Sequence, residues 1–217
     1  MTVLITGFGP FDGGSNASEA LVRALAPGRQ TLADGLGMPV ETLILPVDTG
    51  RAGALLTEAV AIHRPAFLLM AGQAAGRARL SLERFATNRR HFRTPDAMGI
   101  TISVACVLDE GPERHVATWP DLDGAVRALD AAGIPAQVSE DCGTHLCNQL
   151  LYLALNAAGQ GTDYAATFLH VPLLPEQVAA NEPAAAAHEN CPSMPLEQSV
   201  RGVEIVLRHA VRCEVAA

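Results

Sequence analysis

The chain has 217 residues, 49% hydrophobic and 18% charged, with a formal net charge of -8. That balance belongs to a globular protein long enough to bury its own core as a single domain over 1–217, and it excludes disordered and fibrous classes. The acidic surplus leaves no basic footprint for a phosphate backbone, which excludes nucleic acid as a partner. The five cysteines, Cys106, Cys142, Cys147, Cys191 and Cys213, are odd in number and scattered, as suits reduced thiols rather than a disulfide framework. No apolar run approaches the roughly 20 residues of a membrane span, and the opening residues carry no positive leader. The expectation is a cytoplasmic protein with no membrane partner.

Val3 to Ile5 reads as a short buried strand that ends in the turn-rich loop Gly7 to Gly14. Ala17 to Ala26 has helical character, with Asn16 or Ser18 as a cap and Pro27-Gly28 as a terminator. Val40 to Val47 is the next strand. Ala52 to His63 carries Leu55, Leu56, Ala59 and Val60 at helical spacing, and Ala66 to Ala71 is another buried strand. From Gly72 to about Pro120 the periodicity is poor, with short strands expected around Leu80 to Thr87 and Thr101 to Val107. Such excursions often carry function.

Alternation then resumes: a helix over Leu122 to Ala132, a strand over Ala136 to Ser139, a helix from about Thr144 to Ala158, a strand over Tyr164 to Val171 and an amphipathic helix over Glu197 to Val215. Strands alternating with helices predict an α/β protein whose mostly parallel sheet is covered on both faces. Ligands in such folds collect beyond the carboxyl ends of the strands. The Ala-rich segment Ala179 to Pro195 reads as a surface excursion, with a mobile loop as its simplest form.

Cys147 lies where strand gives way to helix, and a helix start favours the thiolate. A base and an orienting acid complete the apparatus for thiol-based acyl transfer. His170 follows another strand-like run and is the candidate base. Composition alone gives many accidental Cys–His pairs among five cysteines and seven histidines. Cys106, Cys142 and Cys213 are expected to be small buried hydrophobes. Cys142, His145 and Cys147 lack further ligands at finger-like spacing, so no metal is expected there. His145, two residues from Cys147, is expected in the pocket wall or at the surface.

Ordered motifs narrow the reading. Thr6-Gly7-Phe8-Gly9-Pro10-Phe11, followed by Asn16, resembles the TGFxPFGG loop of the pyroglutamyl peptidase I family. Ala71 to Arg77 resembles its GQAGGR segment, Glu83 to Asn88 its ERVAIN, Arg93 to Asp96 its RIPD, Gly143 to Asn148 its GTFVCN, and His170 to Gln177 its HVPxLPEQ. The resemblance spans almost the whole chain. It implies a three-layer α/β/α sandwich of the phosphorylase/hydrolase-like type and a cysteine omega-peptidase acting on peptides with an N-terminal pyroglutamate, without cofactor or metal.

Carried over, the resemblance implies Cys147 as nucleophile, His170 as base and later acid, Glu83 as third member and Arg93 as an oxyanion partner. It implies Phe8, Phe11, Asn16, Gln73, His145 and Leu146 as substrate-binding residues, and assembly as a dimer or tetramer with Ala179 to Pro195 as a candidate contact. His145, Thr94 and Gly9 depart from the family pattern, where an aromatic, an apolar and an acidic residue stand. Two other functions fit the same architecture: a phosphorolytic transferase, for which Gly72 and Gly76 alone are a weak phosphate cradle, and a ligand-binding relative without catalysis.

Overall fold

A computed structural model describes residues 1–161 and 163–216. In chain order the first half contains β1 (Thr2–Phe8), α1 (Ala17–Leu36), β2 (Val40–Leu45), α2 (Ala52–His63), β3 (Pro65–Gln73), β4 (Leu80–Glu83), β5 (Phe85–Thr87), β6 (Arg90–Phe92) and β7 (Ile102–Ala105). The second half contains β8 (Arg114–Val116), α3 (Leu122–Ala131), β9 (Ala136–Ser139), α4 (Leu146–Gly159), β10 (Ala165–Val171), α5 (Pro175–Ala179), α6 (Pro183–Ala186) and α7 (Leu196–Ala216).

Six strands form the central sheet in the order β2-β1-β3-β10-β4-β9. Every neighbouring pair is parallel except β10 with β4. The inner strands are buried on both faces, which is why they read as continuous apolar runs. Val3 and Ile5 of β1 join a core with α1, α3 and α7, where Leu21, Leu129 and Val206 are also buried. Leu4 and Phe8 face the opposite core, shared with Leu56 of α2 and Leu150 and Leu151 of α4. These are the two cores of an α/β/α sandwich. The irregular stretch after β4 is organised as two small antiparallel ribbons, β5 with β8 and β6 with β7.

Two sequence expectations change. Pro27 does not end the first helix, which runs on to Leu36 and stops at Gly37, whose φ of 69° is left-handed. An interior proline costs about 3 kcal/mol, but Leu21, Leu25, Leu32 and Leu36 keep one buried stripe on either side of it while Pro27 itself faces solvent. Burial of that stripe outweighs the loss of one backbone hydrogen bond. The segment Ala179 to Pro195 is not an unstructured loop either. It contains α6 and is tied to the first loop by the Glu182 carboxylate, which accepts from Ser15 N and Oγ at 2.9 Å.

Candidate active site

The antiparallel strand β4 builds the first part of the site. Its register pairs Glu83 with Phe168 and Ser81 with His170. Glu83 and His170 are therefore diagonal neighbours on one face, within reach of long side chains. A slip of one residue would turn the carboxylate to the other face. In the observed register Glu83 Oε1 accepts from His170 Nδ1 at 2.7 Å. The same oxygen accepts from Arg77 Nη1 at 2.7 Å, and Arg77 Nη2 donates to the Asp141 carbonyl at 2.9 Å.

The result is a buried line, Arg77–Glu83–His170, in which Glu83 has no solvent exposure. Bonding at Nδ1 leaves Nε2 of His170 as the nitrogen available for proton transfer. Burial lowers the His170 pKa, Glu83 acts against that shift, and the Arg77 charge adds to it. The resting imidazole is neutral.

Cys147 arrives on the first turn of α4, after His145 at the cap position. Its sulfur lies against the end of β3, at the strand position paired with His170. A Cβ on Gly72 would come within 3.0 Å of Cys147 Sγ and 2.7 Å of the Phe168 ring. Glycine at 72 therefore makes room for the Cys147 sulfur.

The expected low thiol pKa is not found. Burial pushes Cys147 up to about 12, the Glu83 charge adds to the rise, and the Arg77 charge opposes it. A helix start is worth about 0.3–1 kcal/mol to an anion, less than the roughly 1.4 kcal/mol of a single pKa unit. The dipole is outweighed. Thiol and imidazole both rest neutral.

A cavity of about 640 Å³ opens over Cys147, within the size range of small-ligand sites. Phe8, Phe11, Asn16, Gln73, Arg93, His145 and Leu146 all line it. Phe11 is held there by a tight turn over Asp12 and Gly13, both with positive φ, closed by Gly14 N donating to Phe11 O at 3.1 Å. Asn16 is largely occupied with structure: it caps α1 through Ser18 N and donates to Gly9 O at 3.0 Å. Gln73 Oε1 accepts from Ala17 N and from Gln177 Nε2. Its amide N–H₂ is the half turned to ligand chemistry.

Arg93 is exposed on the rim, on a loop organised by Asp96. Burial would raise the Asp96 pKa, but N–H groups of Thr49, Ile100 and Met98 outweigh it and hold the carboxyl below its ordinary value.

His145 occupies the family's aromatic position as an aromatic slab. Its ring stacks on Phe92 at 4.1 Å between centroids and tilts toward Phe11 at 5.7 Å. Nε2 donates to the Thr94 carbonyl at 3.1 Å, and burial lowers its pKa. The imidazole is neutral, and the wall keeps its flat face.

Sequence reasoning missed three contributors. Arg77 sat in a recognised motif without a role. Phe92 had no signal beyond being one of six phenylalanines. Cys106 is exposed and Cys213 half-buried, against expectation; Cys142 is buried as expected, but beside the relay rather than in anonymous core. Its Sγ, a Glu83 oxygen and a His170 ring nitrogen lie within 4.8 Å of one another. Burial first, then the Glu83 charge, hold its thiol well above the ordinary value.

Comparisons with known proteins bear on the family and the fold. The family model for pyroglutamyl peptidase matches residues 1–213. A pyrrolidone-carboxylate peptidase of Gloeobacter violaceus is 38% identical over 208 residues, 95% of this chain and 95% of its own. One from Vibrio vulnificus is 36% identical over 211 residues, 94% of this chain and 90% of its own. Among solved structures, a mutant pyrrolidone carboxyl peptidase from Pyrococcus furiosus superposes with a TM-score of 0.89 at 29% identity, covering 98% of this chain and 99% of that one. Bacillus amyloliquefaciens pyroglutamyl peptidase I gives 0.85 at 28% identity, with 97% of each chain covered. The chain belongs to the pyroglutamyl peptidase family.

Proposed function

We propose that Cys147, His170 and Glu83 act as nucleophile, general base and orienting acid in this cysteine omega-peptidase, a pyroglutamyl peptidase I that removes the N-terminal pyroglutamyl residue from peptides. The observation that carries the assignment is the buried Arg77–Glu83–His170 line, which leaves Nε2 free on the strand position that faces the Cys147 sulfur. The single catalytic domain over 1–217 is supported by two cores that share one sheet.

Because thiol and imidazole both rest neutral, His170 Nε2 accepts the Cys147 proton as sulfur attacks the carbonyl that follows the pyroglutamyl ring. The imidazolium forms against the Glu83 carboxylate, which holds the ring through Nδ1 and offsets the new charge. The first-turn N–H groups of α4, which have no partner within the helix, would hold the developing oxyanion, and Arg93 would add charge from the rim. His170 returns its proton to the departing amine. Water then attacks the thioester with the same imidazole as base, which regenerates the thiol.

Phe8, Phe11 and His145 supply flat apolar faces for the lactam ring, and the Gln73 N–H₂ and the Asn16 region supply amide partners. The alternatives lack comparable support: the space at Gly72 is taken by the Phe168 ring and Cys147 Sγ rather than open to phosphate, and an inactive binder has no use for a buried ion-paired relay. No helix among the described residues is long and apolar enough to cross a membrane, in keeping with the cytoplasmic location we propose. Assembly as a dimer or tetramer is part of the same proposal, supported by the exposed Met98, Ile100 and Val104.

Dye release from a pyroglutamyl amide under reducing conditions tests the reading, with a prolyl amide as control because its ring nitrogen is an ammonium. Rapid release from the first and none from the second is expected. Equal release from both, or unchanged release by Cys147→Ser, would overturn it.

A further inference from the structure

We propose that Asp121, His209 and Cys213 form a binding site for a borderline divalent cation, best matched by Zn²⁺, on the side of the sheet opposite α4. Asp121 precedes α3, and His209 and Cys213 lie one turn apart on α7. His209 Nε2 is 3.2 Å from Asp121 Oδ2 and 3.5 Å from Cys213 Sγ, and the three donor atoms all lie within 4.8 Å of one another. Tetrahedral zinc with bonds of about 2.0–2.3 Å spaces neighbouring donors about 3.3 Å apart for nitrogen with oxygen and about 3.6 Å for nitrogen with sulfur. The two separations from Nε2 already match that spacing.

The two contacts share one nitrogen and compete for it. Carboxylate and thiol both approach the same nitrogen, Nε2, which carries at most one proton. A catalytic relay needs the acid on one ring nitrogen and the thiol on the other. Three donors meeting at one point can surround an ion, and here they open to solvent, unlike the equally close Glu83, Cys142 and His170, which are buried with Arg77 already paired to Glu83. An imidazole, a thiolate and a carboxylate are a donor set that zinc accepts, with a fourth position left to solvent.

The surroundings leave room for it. Asp121 spends Oδ1 on the Gly124 N–H at 2.8 Å, which turns Oδ2 toward His209. That bond is the main reason its carboxyl stays below the ordinary value, although burial opposes it. A Cβ on Gly124 would lie 1.9 Å from Asp121 Oδ2 and 2.6 Å from His209 Nε2. Only glycine at 124 lets the two donors converge. Arg127 approaches Oδ2 at 3.7 Å but its side chain is 72% exposed, so it can swing into solvent when a cation binds. Binding displaces the Cys213 thiol proton to solvent as the sulfur–metal bond forms, and it clamps α7 to the start of α3.

The test uses the full chain, stripped with chelator, held in a phosphine reductant and titrated with Co²⁺ and Zn²⁺. Wild type is expected to bind one equivalent of Co²⁺ with a thiolate charge-transfer band, and Zn²⁺ at hundredfold excess over Kd is expected to raise Tm by about 5 °C. Cys213→Ser should abolish the band while pyroglutamyl hydrolysis stays at the wild-type rate. Gly124→Ala, which removes no ligand, should weaken binding about 10–100-fold. Absence of a band in wild type overturns the proposal. So does a band that survives Cys213→Ser and falls with Cys142→Ser, since that puts the ion beside Glu83 and His170 instead.

Discussion

The Cys147 site and the Asp121 group each combine an acid, a histidine and a cysteine, and they are put together differently. At the active site Glu83 takes Nδ1 of His170 and leaves Nε2 for the thiol, so the groups run in series. On the opposite side Asp121 and Cys213 both approach Nε2 of His209, so the groups converge. The first is buried and backed by a guanidinium; the second is partly open to water. Residue type therefore decides little by itself. On the proposals above, the series arrangement moves a proton and the open, convergent one holds an ion.

Glu83→Gln breaks the series most sharply. It removes the charge that offsets the imidazolium, and kcat is expected to fall on the order of 10³–10⁴-fold. Asp121→Asn is the matched change in the convergent group and should leave turnover unaltered. Steady-state kinetics on both variants decides whether the contrast holds.

Gly72→Ala tests how closely the sulfur must sit to the relay. The new Cβ meets Phe168 and Cys147 Sγ, and a displacement near 1 Å can cost about 10²-fold in rate. A variant with normal kcat would mean the sulfur does not work from its observed position.

Arg77→Gln gives a shift rather than a loss. Arg77 helps hold the His170 pKa down, so its removal lets that pKa rise, and the acid limb of the kcat/KM profile should move to higher pH. The same variant lowers the barrier to protonating His170 in mild acid. An unmoved limb would sever Arg77 from the base.

The smallest effect is on stability. Burial lowers the pKa of His115, His145 and His170 from the ordinary 6.5. Between the folded values and 6.5 the unfolded chain binds more protons, so stability is complete above about pH 6.5 and declines as pH falls. Asp96, whose pKa lies below 3.8, extends the loss to lower pH, where its carboxylate is finally protonated. Thermal melts across pH 4–8 should show that slope; a Tm that rises on acidification would contradict it.

Much of the fold is legible in the sequence because the inner strands are apolar on both faces and the helices carry clear stripes. The run through Pro27 was hidden because a proline is a strong local signal, while the stripe from Leu25 to Leu32 and Leu36 reads only at longer range. Cys147, His170 and Glu83, the proposed nucleophile, base and acid, stand out through ordered motifs, not through the physics of single residues. Glu83 beside Arg84 looks like a surface ion pair; in the fold Arg84 bonds Asp123 instead and Glu83 turns inward. The thiol pKa was misread because a helix start is visible in sequence and the depth of burial is not. The approach of Asp121 to His209 spans 88 positions and leaves no local trace.

The reversed strand β4 also bears on how the enzyme matures. Acid and base meet across 87 positions of chain, and such distant pairings form slowly compared with local ones. On a ribosome the carboxylate is synthesised long before its imidazole and waits without that partner until β10 has been made and docked. Competence for turnover is thus among the last properties the nascent chain acquires, and recovered activity after refolding reports a closed central sheet rather than helix content.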